Sequence, residues 1–396
     1  MTNPRLHIGR RLLHNKGTLF GLIVIALSLV VALCAYFIAP DPSPNANRII
    51  VEIGGRRPGF QQLFLLLPKE RPASGVSFFG RLLNGREDVF DYIPINSYVV
   101  NGDSLVVQKF VDEDVEERRA YAIAGPHPNN AASTAPSSRH NGPNNPNNPA
   151  STAASPRHNV PNHFASNTYH IKTQTFWLGT DKYGRDILSR LLIGVRVSLA
   201  VGLVTVLLSL SVGVLLGALA GYFRGRVDEI ILWLVNVIWS IPTLLLVFAI
   251  MLVLGKGFWQ VFIAIGLTLW VNVARIIRGQ VLAAKEREYV EAARALGYSH
   301  SRILFRHILP NVMGPVWVVA ASNFASAIVI EAGLSFLGVG VQPPQPSWGL
   351  MIKENYNFII THNPMLALAP GIAIMLLVLA FNLLGNGLRD ALNVKV

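Results

Sequence analysis

Charge is scarce in this sequence. Only 14% of its 396 residues are Asp, Glu, Lys or Arg, while 51% are hydrophobic. A soluble domain carries about 25% charged residues, so an ordinary water-soluble globular protein is excluded and lipid is expected as part of the solvent. Cysteine is scarcer still. Cys34 stands alone, which excludes an internal disulfide. It follows Leu33 inside an apolar run, where a lipid-modified cysteine would need a small residue before it. Catalytic motifs are lacking too. Gly255-Lys256-Gly257 has neither the earlier glycine nor the hydroxyl residue of a phosphate loop, and no His-Glu-x-x-His or Gly-x-Ser-x-Gly occurs. The chain is expected to be no enzyme, with no catalytic residue, no metal site and no cofactor of its own.

What is abundant is long apolar sequence. A helix that crosses a bilayer needs about 20 consecutive apolar residues. Gly17–Ala39 meets this with no charge, and Arg5, Arg10, Arg11 and Lys16 precede it. It is too long for a cleaved leader, and is read as an uncleaved first span. Val197–Phe223, Ile230–Leu254, Phe258–Val273, Val312–Leu337 and Met365–Leu384 are the further expected spans. Pro242 falls inside the third and Pro370 near the start of the sixth. Gly202, Gly213, Gly217 and Gly221 recur in the second, a spacing that lets helices approach closely.

The net charge of +12 invites a nucleic-acid reading, but the positive residues cluster in short segments beside the spans. The segments 1–16, 224–229, 274–311 and 385–396 hold 15 Lys and Arg, whereas 255–257 and 338–364 hold only Lys256 and Lys353. Positive loops stay inside. A multi-pass protein of the inner (plasma) membrane with both termini cytoplasmic is expected, in contact with lipid and not with nucleic acid.

Three domains are expected: 1–39, the N-terminal tail and first span; 40–176, an extracytoplasmic insertion; and 177–396, a core with five spans. Within the insertion, 48–124 can fold. Ile49–Ile53, Ser97–Val100 and Ser104–Val107 look like strands, and Asn101-Gly102-Asp103 is a hairpin turn. Residues 125–167, rich in Asn, Pro, Ser, Ala and His, are expected to be a disordered linker. His127, His140, His158 and His163 sit there without ligand spacing.

Between the fourth and fifth spans lies Glu288-Tyr289-Val290-Glu291-Ala292-Ala293-Arg294-Ala295-Leu296-Gly297, then Ile308-Leu309-Pro310. Two short helices are expected, Lys285–Leu296 stopped by Gly297 and Ser299–His307 ended near Pro310. The alanines keep one face low, and Arg294, Arg302 and Arg306 offer multi-donor contacts at its rim. Before the second span comes Leu178-Gly179-Thr180-Asp181-Lys182-Tyr183-Gly184-Arg185-Asp186-Ile187-Leu188-Ser189-Arg190. Thr180 or Asp181 can cap a short helix, and Asp181, Arg185 and Asp186 can form a charge network.

Glu291-Ala292-Ala293, Gly297 and Leu309-Pro310 resemble the EAA motif of type I ABC importer permeases. The 179–186 segment resembles the Gly-Thr-Asp-x-x-Gly-Arg-Asp signature of their dipeptide, oligopeptide and nickel branch. Glu331-Ala332-Gly333-Leu334-Ser335-Phe336-Leu337-Gly338 through Pro346-Ser347-Trp348-Gly349, and Asn382-Leu383-Leu384-Gly385 through Leu388-Arg389-Asp390, extend the likeness over about 177–393. Asn386 and Asn236 stand where that family commonly has Asp. The 40–176 insertion matches no motif of the family.

The resemblance implies an all-α transmembrane fold: six spans, a MetI-like core, and a large extracytoplasmic insertion, part β, between the first two. It implies that Glu291, Ala292, Ala293, Arg294, Gly297, Leu309 and Pro310, within the loop 285–310, couple to ABC ATPase subunits. Those subunits carry the ATP and Mg. A second permease subunit, a different chain, and an extracytoplasmic solute-binding protein are the other partners. Gly179, Thr180, Asp181, Gly184, Arg185 and Asp186 form the outer-face signature. The implied cargo is a short peptide, with nickel or another small ligand as the alternative. Asn323, Glu331 and Asn382 are polar within spans and so are candidates for the translocation path; interhelical hydrogen bonding is the plainer account of Asn323 and Asn382, and for Glu331 the two accounts stand level. A secondary transporter would rest on intramembrane acids or inverted repeats, of which only Glu331 is visible. A sensor built on 48–124 would lose its function when 40–176 is deleted. In a permease, the insertion is expected to contact the binding protein or a neighbouring permease.

Overall fold

The computed structural model describes residues 9, 12–69, 77–101, 104–112, 115–122, 169–360 and 363–392. Outside the described residues lie Arg5, Arg10, Arg11, Gly102-Asp103 and the segment 125–167 with its four histidines. The chain divides into two compact units. One comprises Met1–Phe60, Ala73–Asp88 and Thr175–Val396; the other comprises Gln61–Pro72 and Val89–Gln174.

The first unit is helical. Helix α1 (Lys16–Ile38) starts where the Asn15 side chain accepts hydrogen bonds from the N–H groups of Gly17 and Thr18. At 1.5 Å per residue it is about 34 Å long, enough for a hydrocarbon core of about 30 Å. A short helix, α2 (Phe78–Asn84), comes next. Helix α3 (Ile187–Phe223) follows, then α4 (Gly225–Ser240) and α5 (Thr243–Leu254). Helix α6 (Phe258–Lys285) leads to the short α7 (Glu288–Ala295). The unit ends with α8 (Gly314–Leu337), α9 (Trp348–Asn355) and α10 (Met365–Ala391).

Five of these helices, α1, α3, α6, α8 and α10, are each long and apolar enough to cross a membrane. The expected third span, Ile230–Leu254, is not one helix. It breaks into α4 and α5, which meet at 97°. The cause is Pro242, which disfavours helical geometry in the residue before it; Ile241 is extended, at φ −96° and ψ 130°. The pair counts as a sixth span only if the bent element crosses as one.

Small residues set the closest packing. At Gly217 of α3 an added Cβ would collide with the carbonyl oxygen of Ala274 on α6, and Gly213 and Gly221 meet the same helix one turn to either side. This is the small-xxx-small contact of membrane helices. α1 lies along α10, where Gly21 faces the Ala380 carbonyl and Gly387 faces Thr18.

The second unit is a five-stranded sheet in the order β4-β3-β2-β1-β5. Its strands are β1 (Phe60–Pro68), β2 (Phe90–Asn101), β3 (Ser104–Asp112), β4 (Val115–Ala122) and β5 (His170–Phe176). β1 to β4 pair antiparallel, with Asn101 opposite Ser104 where β2 turns into β3. Leu65, Ile95, Leu105 and Val107 form its buried core. Both segments expected as strands around Asn101 are strands. Ile49–Ile53 is not: Val51–Ile53 is a single 3-10 turn in the helical unit, because Ile50 and Ile53 are drawn into that unit's interior.

Candidate functional site

Two constructions stand at opposite ends of the helical unit. One end carries the start of α3 (the signature end), the other the residues after α6 (the elbow end).

At the signature end, Asp181 collects four donors. Its Oδ1 accepts the N–H groups of Tyr183 and Arg185, at 2.9 and 3.0 Å. Its Oδ2 accepts Arg185 Nε at 2.6 Å and Arg190 Nη1 at 2.7 Å. Glu354 of α9 closes the group, receiving Arg185 Nη2 and Arg190 Nη1 at 2.8 Å each. Asp181 and Arg190 are 0% and 1% exposed, so each charge depends on the others: an isolated buried ion is costly, and only paired, hydrogen-bonded ions persist there.

The glycines of this segment have a steric reason. Gly184 has φ +74° and Gly179 φ +80°. A side chain at either would collide with backbone of the insertion, at the carbonyl oxygens of Ile50 and Arg56 respectively. Thr180 bridges to the same stretch, accepting the Arg56 N–H at 2.9 Å and donating to the Ile53 carbonyl. Segment 50–57 therefore threads across the signature, and Asn363 fixes it from the other side through the Arg56 carbonyl, at 2.9 Å.

The expected cap and network are redistributed. Neither Thr180 nor Asp181 caps a helix. Asp186 does, accepting the Ser189 N–H at 2.9 Å and the Ser189 hydroxyl. Asp186 is thus spent on α3, and Arg190 and Glu354 take its place among the ion pairs. Burial pushes the Asp186 carboxyl above the ordinary aspartate range; the Ser189 bonds oppose this, Asp41 adds to it and Arg48 opposes it.

At the elbow end, α7 divides into two faces. Val290 and Ala293 are buried against Ile277, Val281, Ile303, Leu304 and Ile308. Glu291, Ala292, Arg294, Ala295, Leu296 and Gly297 are exposed. Ala293 therefore anchors the elbow, and Ala292 is the alanine left on its surface. Gly297 ends the helix at φ +75° with open space around it. The Tyr298 N–H reaches the Ala293 carbonyl at 3.2 Å and the Gly297 N–H the Arg294 carbonyl at 2.9 Å, the paired bonds of a Schellman stop.

The second expected helix runs further and is differently wound. A single turn, His300–Arg302, passes into a π-turn, Ile303–Ile308, and then Leu309–Val312. Pro310 does not end it. The wider π-turn makes room for a ring that would otherwise meet the carbonyl four residues back. Leu309 is buried and Pro310 exposed.

The spacing did not reveal the elbow's apolar projections: Leu296 is 71% exposed, Phe305 51% and Tyr289 40%. Nor did it reveal the ring cluster that stiffens the elbow. Tyr222 Oη meets His300 Nδ1 at 2.9 Å, Tyr298 stacks on His307, and the Arg302 guanidinium lies 4.2 Å from the Tyr298 ring centre.

The polar residues within the spans behave differently from one another. Asn323 is buried on α8 and donates to Ser209 of α3 and the Leu269 carbonyl of α6, at 3.4 Å each. Glu331 is buried as well, and its Oε1 receives the Ser335 and Ser347 hydroxyls at 2.6 Å each. Ser347 also caps α9, so Glu331 joins α8 to the loop beyond it. Asn382 alone is exposed, on α10. At Asn236, the family's missing acid, Arg275 approaches within 3.5 Å of the amide oxygen and lies 3.5 Å from the centre of the Trp239 ring.

A bundle of long apolar helices, locked by buried charge at one end and bearing an exposed Ala/Gly elbow at the other, defines a multi-pass membrane protein. Comparison with known proteins identifies its kind. Residues 213–396 match the model of the binding-protein-dependent transport system inner membrane component. The oligopeptide transport system permease protein OppC of Bacillus subtilis is 43% identical over 220 residues, which are 56% of this chain and 72% of that protein. The glutathione transport system permease protein GsiD of Pectobacterium atrosepticum is 44% identical over 56% of this chain and 73% of its own length. Among solved structures, an inward-facing conformation of the MetNI methionine ABC transporter covers 52% of this chain and 97% of its own, at 20% identity and a TM-score of 0.42. The chain belongs to the family of inner-membrane permease subunits of binding-protein-dependent ABC importers.

Proposed function

We propose that this permease carries short peptides inward, and that the elbow at 285–310 seats in a cleft of a separate ATPase subunit that supplies the energy of ATP hydrolysis with Mg. The division of α7 into a buried and an exposed face carries this reading. Val290 and Ala293 fix the elbow to the bundle, so a push on Ala292, Leu296 and Gly297 is delivered to the helices rather than absorbed. The relatives' cargoes, oligopeptides and glutathione, support a peptide substrate. Alternating access then requires that ATP favour one arrangement of the helices over the other.

The positive segments support an elbow end in the cytoplasm with both termini, and a signature end outside, where a binding protein delivers the solute. A second, different permease subunit would complete the path. On this reading Asn323, bonded across helices, and Glu331, bonded within α8 and to the loop beyond it, hold the bundle, and Asn382 faces the path or the second permease. The outer signature holds residues 50–57, and the role of the insertion is contact with the binding protein or the neighbouring permease.

Replacing Gly297 by Asp tests the docking. The change places a side chain on the contact surface and strains a left-handed backbone position at about 1–3 kcal/mol. Expected are normal membrane insertion, loss of the co-purifying ATPase and loss of peptide uptake. Retention of both ATPase and uptake would refute the proposal.

A further inference from the structure

The insertion carries a feature unrelated to the elbow or the signature. Helix α2 presents Phe78, Phe79 and Leu83 outward at 65%, 71% and 59% exposure. Single exposed apolar residues are unremarkable, but three on a seven-residue helix are not. The helix is also held firmly. The Phe78 ring lies 5.7 Å from Phe37 near the end of α1, and the Arg81 guanidinium lies 4.8 Å from the centre of the same Phe37 ring. Beyond α2, the Arg86 N–H donates to the Pro42 carbonyl at 2.9 Å. Arg48 grips Asp88 through two bonds of 2.6 Å. From α3, Arg196 Nη1 reaches the Leu83 carbonyl at 3.0 Å.

These contacts fix the depth of α2. With α1 only slightly longer than the hydrocarbon core, its last residues, Phe37 and Ile38, stand at the boundary between hydrocarbon and headgroups. Both are exposed, and they continue the apolar face of α1 that runs through Leu27, Val30 and Leu33. Phe78 and Phe79, edge to face at 5.8 Å, extend this surface sideways. Other large aromatics are exposed at the same end of the bundle: Trp177, Trp259 and Tyr356 at 66%, 63% and 50%. Aromatic side chains favour that depth.

We propose that α2 is an interfacial anchor. Phe78, Phe79 and Leu83 enter the lipid boundary beside the end of α1, so that the insertion is fastened to the bilayer as well as to the helices. The occupant of this surface is lipid, because the surface is continuous with the exposed face of a membrane-crossing helix and held at the level where that helix leaves the hydrocarbon.

A spin label tests the depth. In the full chain, assembled with its partner subunits in lipid nanodiscs, Cys34→Ser removes the native thiol. Phe79→Cys then carries a nitroxide, and Glu87→Cys, at an exposed position past the helix, serves as the reference. Collision rates are measured with oxygen, which concentrates in lipid, and with a water-soluble nickel chelate. The expected ratio of oxygen to nickel accessibility at 79 is several-fold above that at 87, corresponding to a depth of about 5–10 Å typical of interfacial helices. Equal ratios at the two positions would overturn the proposal. So would shielding of residue 79 from both reagents, which would mean that protein covers the face. Should Phe79→Cys fail to assemble, Leu83→Cys reports the same face.

Discussion

The two ends of the bundle use charge in opposite ways. At the signature end, Asp181, Arg185, Arg190 and Glu354 pair their charges with one another in a largely buried cluster. At the elbow end, Arg294, Arg302 and Arg306 are exposed, and the alanine, leucine and glycine between them face open space. Both segments look alike on paper, short runs of Gly, charge and small residues beside a span. The first holds its own chain together; the second leaves its surface open, as the proposed docking requires.

The sharpest way to break this contrast is Arg190→Ala. It would leave Asp181 and Glu354 buried with a partner missing, at a cost of about 3–5 kcal/mol. A strongly lowered thermal midpoint and little protein in the membrane are expected. A midpoint within a degree or two of the parent would mean that the cluster is not a lock. At the elbow, Leu296→Asp should do the reverse. An exposed substitution shifts stability by about 0.5 kcal/mol or less, yet uptake should fall more than tenfold, as a loss of about 1.4 kcal/mol of docking energy or more would produce. Loss of stability without loss of uptake would exchange the roles assigned to the two ends.

The smallest expected effect concerns the α3 cap. Asp186→Ala should cost about 1 kcal/mol, while Asp186→Asn keeps a capping oxygen and should cost less. The parent and the Asn variant also differ with pH. Burial raises the Asp186 carboxyl, so the native state holds that proton more tightly than the unfolded chain does. Its contribution is therefore full below the ordinary aspartate value of about 3.9 and is lost as pH rises through the raised native one. The Asn variant lacks this loss. Its stability relative to the parent should improve as pH is raised from about 4 towards neutrality, and thermal midpoints across that range would reveal a flat or opposite trend.

Much of this contrast is legible in the sequence, for reasons that also set its limits. Spans show themselves because lipid tolerates few polar groups, and the elbow because Gly297 punctuates it. The bend at Pro242 was hidden by hydropathy: a broken pair of apolar helices scores the same as a continuous one, and only the restriction on Ile241 distinguishes them. Glu354 could not be assigned to Arg190 because 164 positions separate them. Asp186 was expected in the charge network because acids were judged by charge, while a position just before an apolar run already favoured capping. Gly179 and Gly184 were visible as a motif, but their cause, the passage of residues 50–57 overhead, lies outside the motif.

The tight seam between α3 and α6 has a mechanical consequence. Where Gly217 leaves no room for even a methyl group against the Ala274 carbonyl, the two rods cannot slide or separate without losing contact along their length, and they behave as a single girder. One tip of that girder passes directly into the elbow; the other holds Arg190 in the charge cluster. A torque applied at the elbow would therefore reach the signature end as a tilt of one stiff body, with little lost to bending on the way.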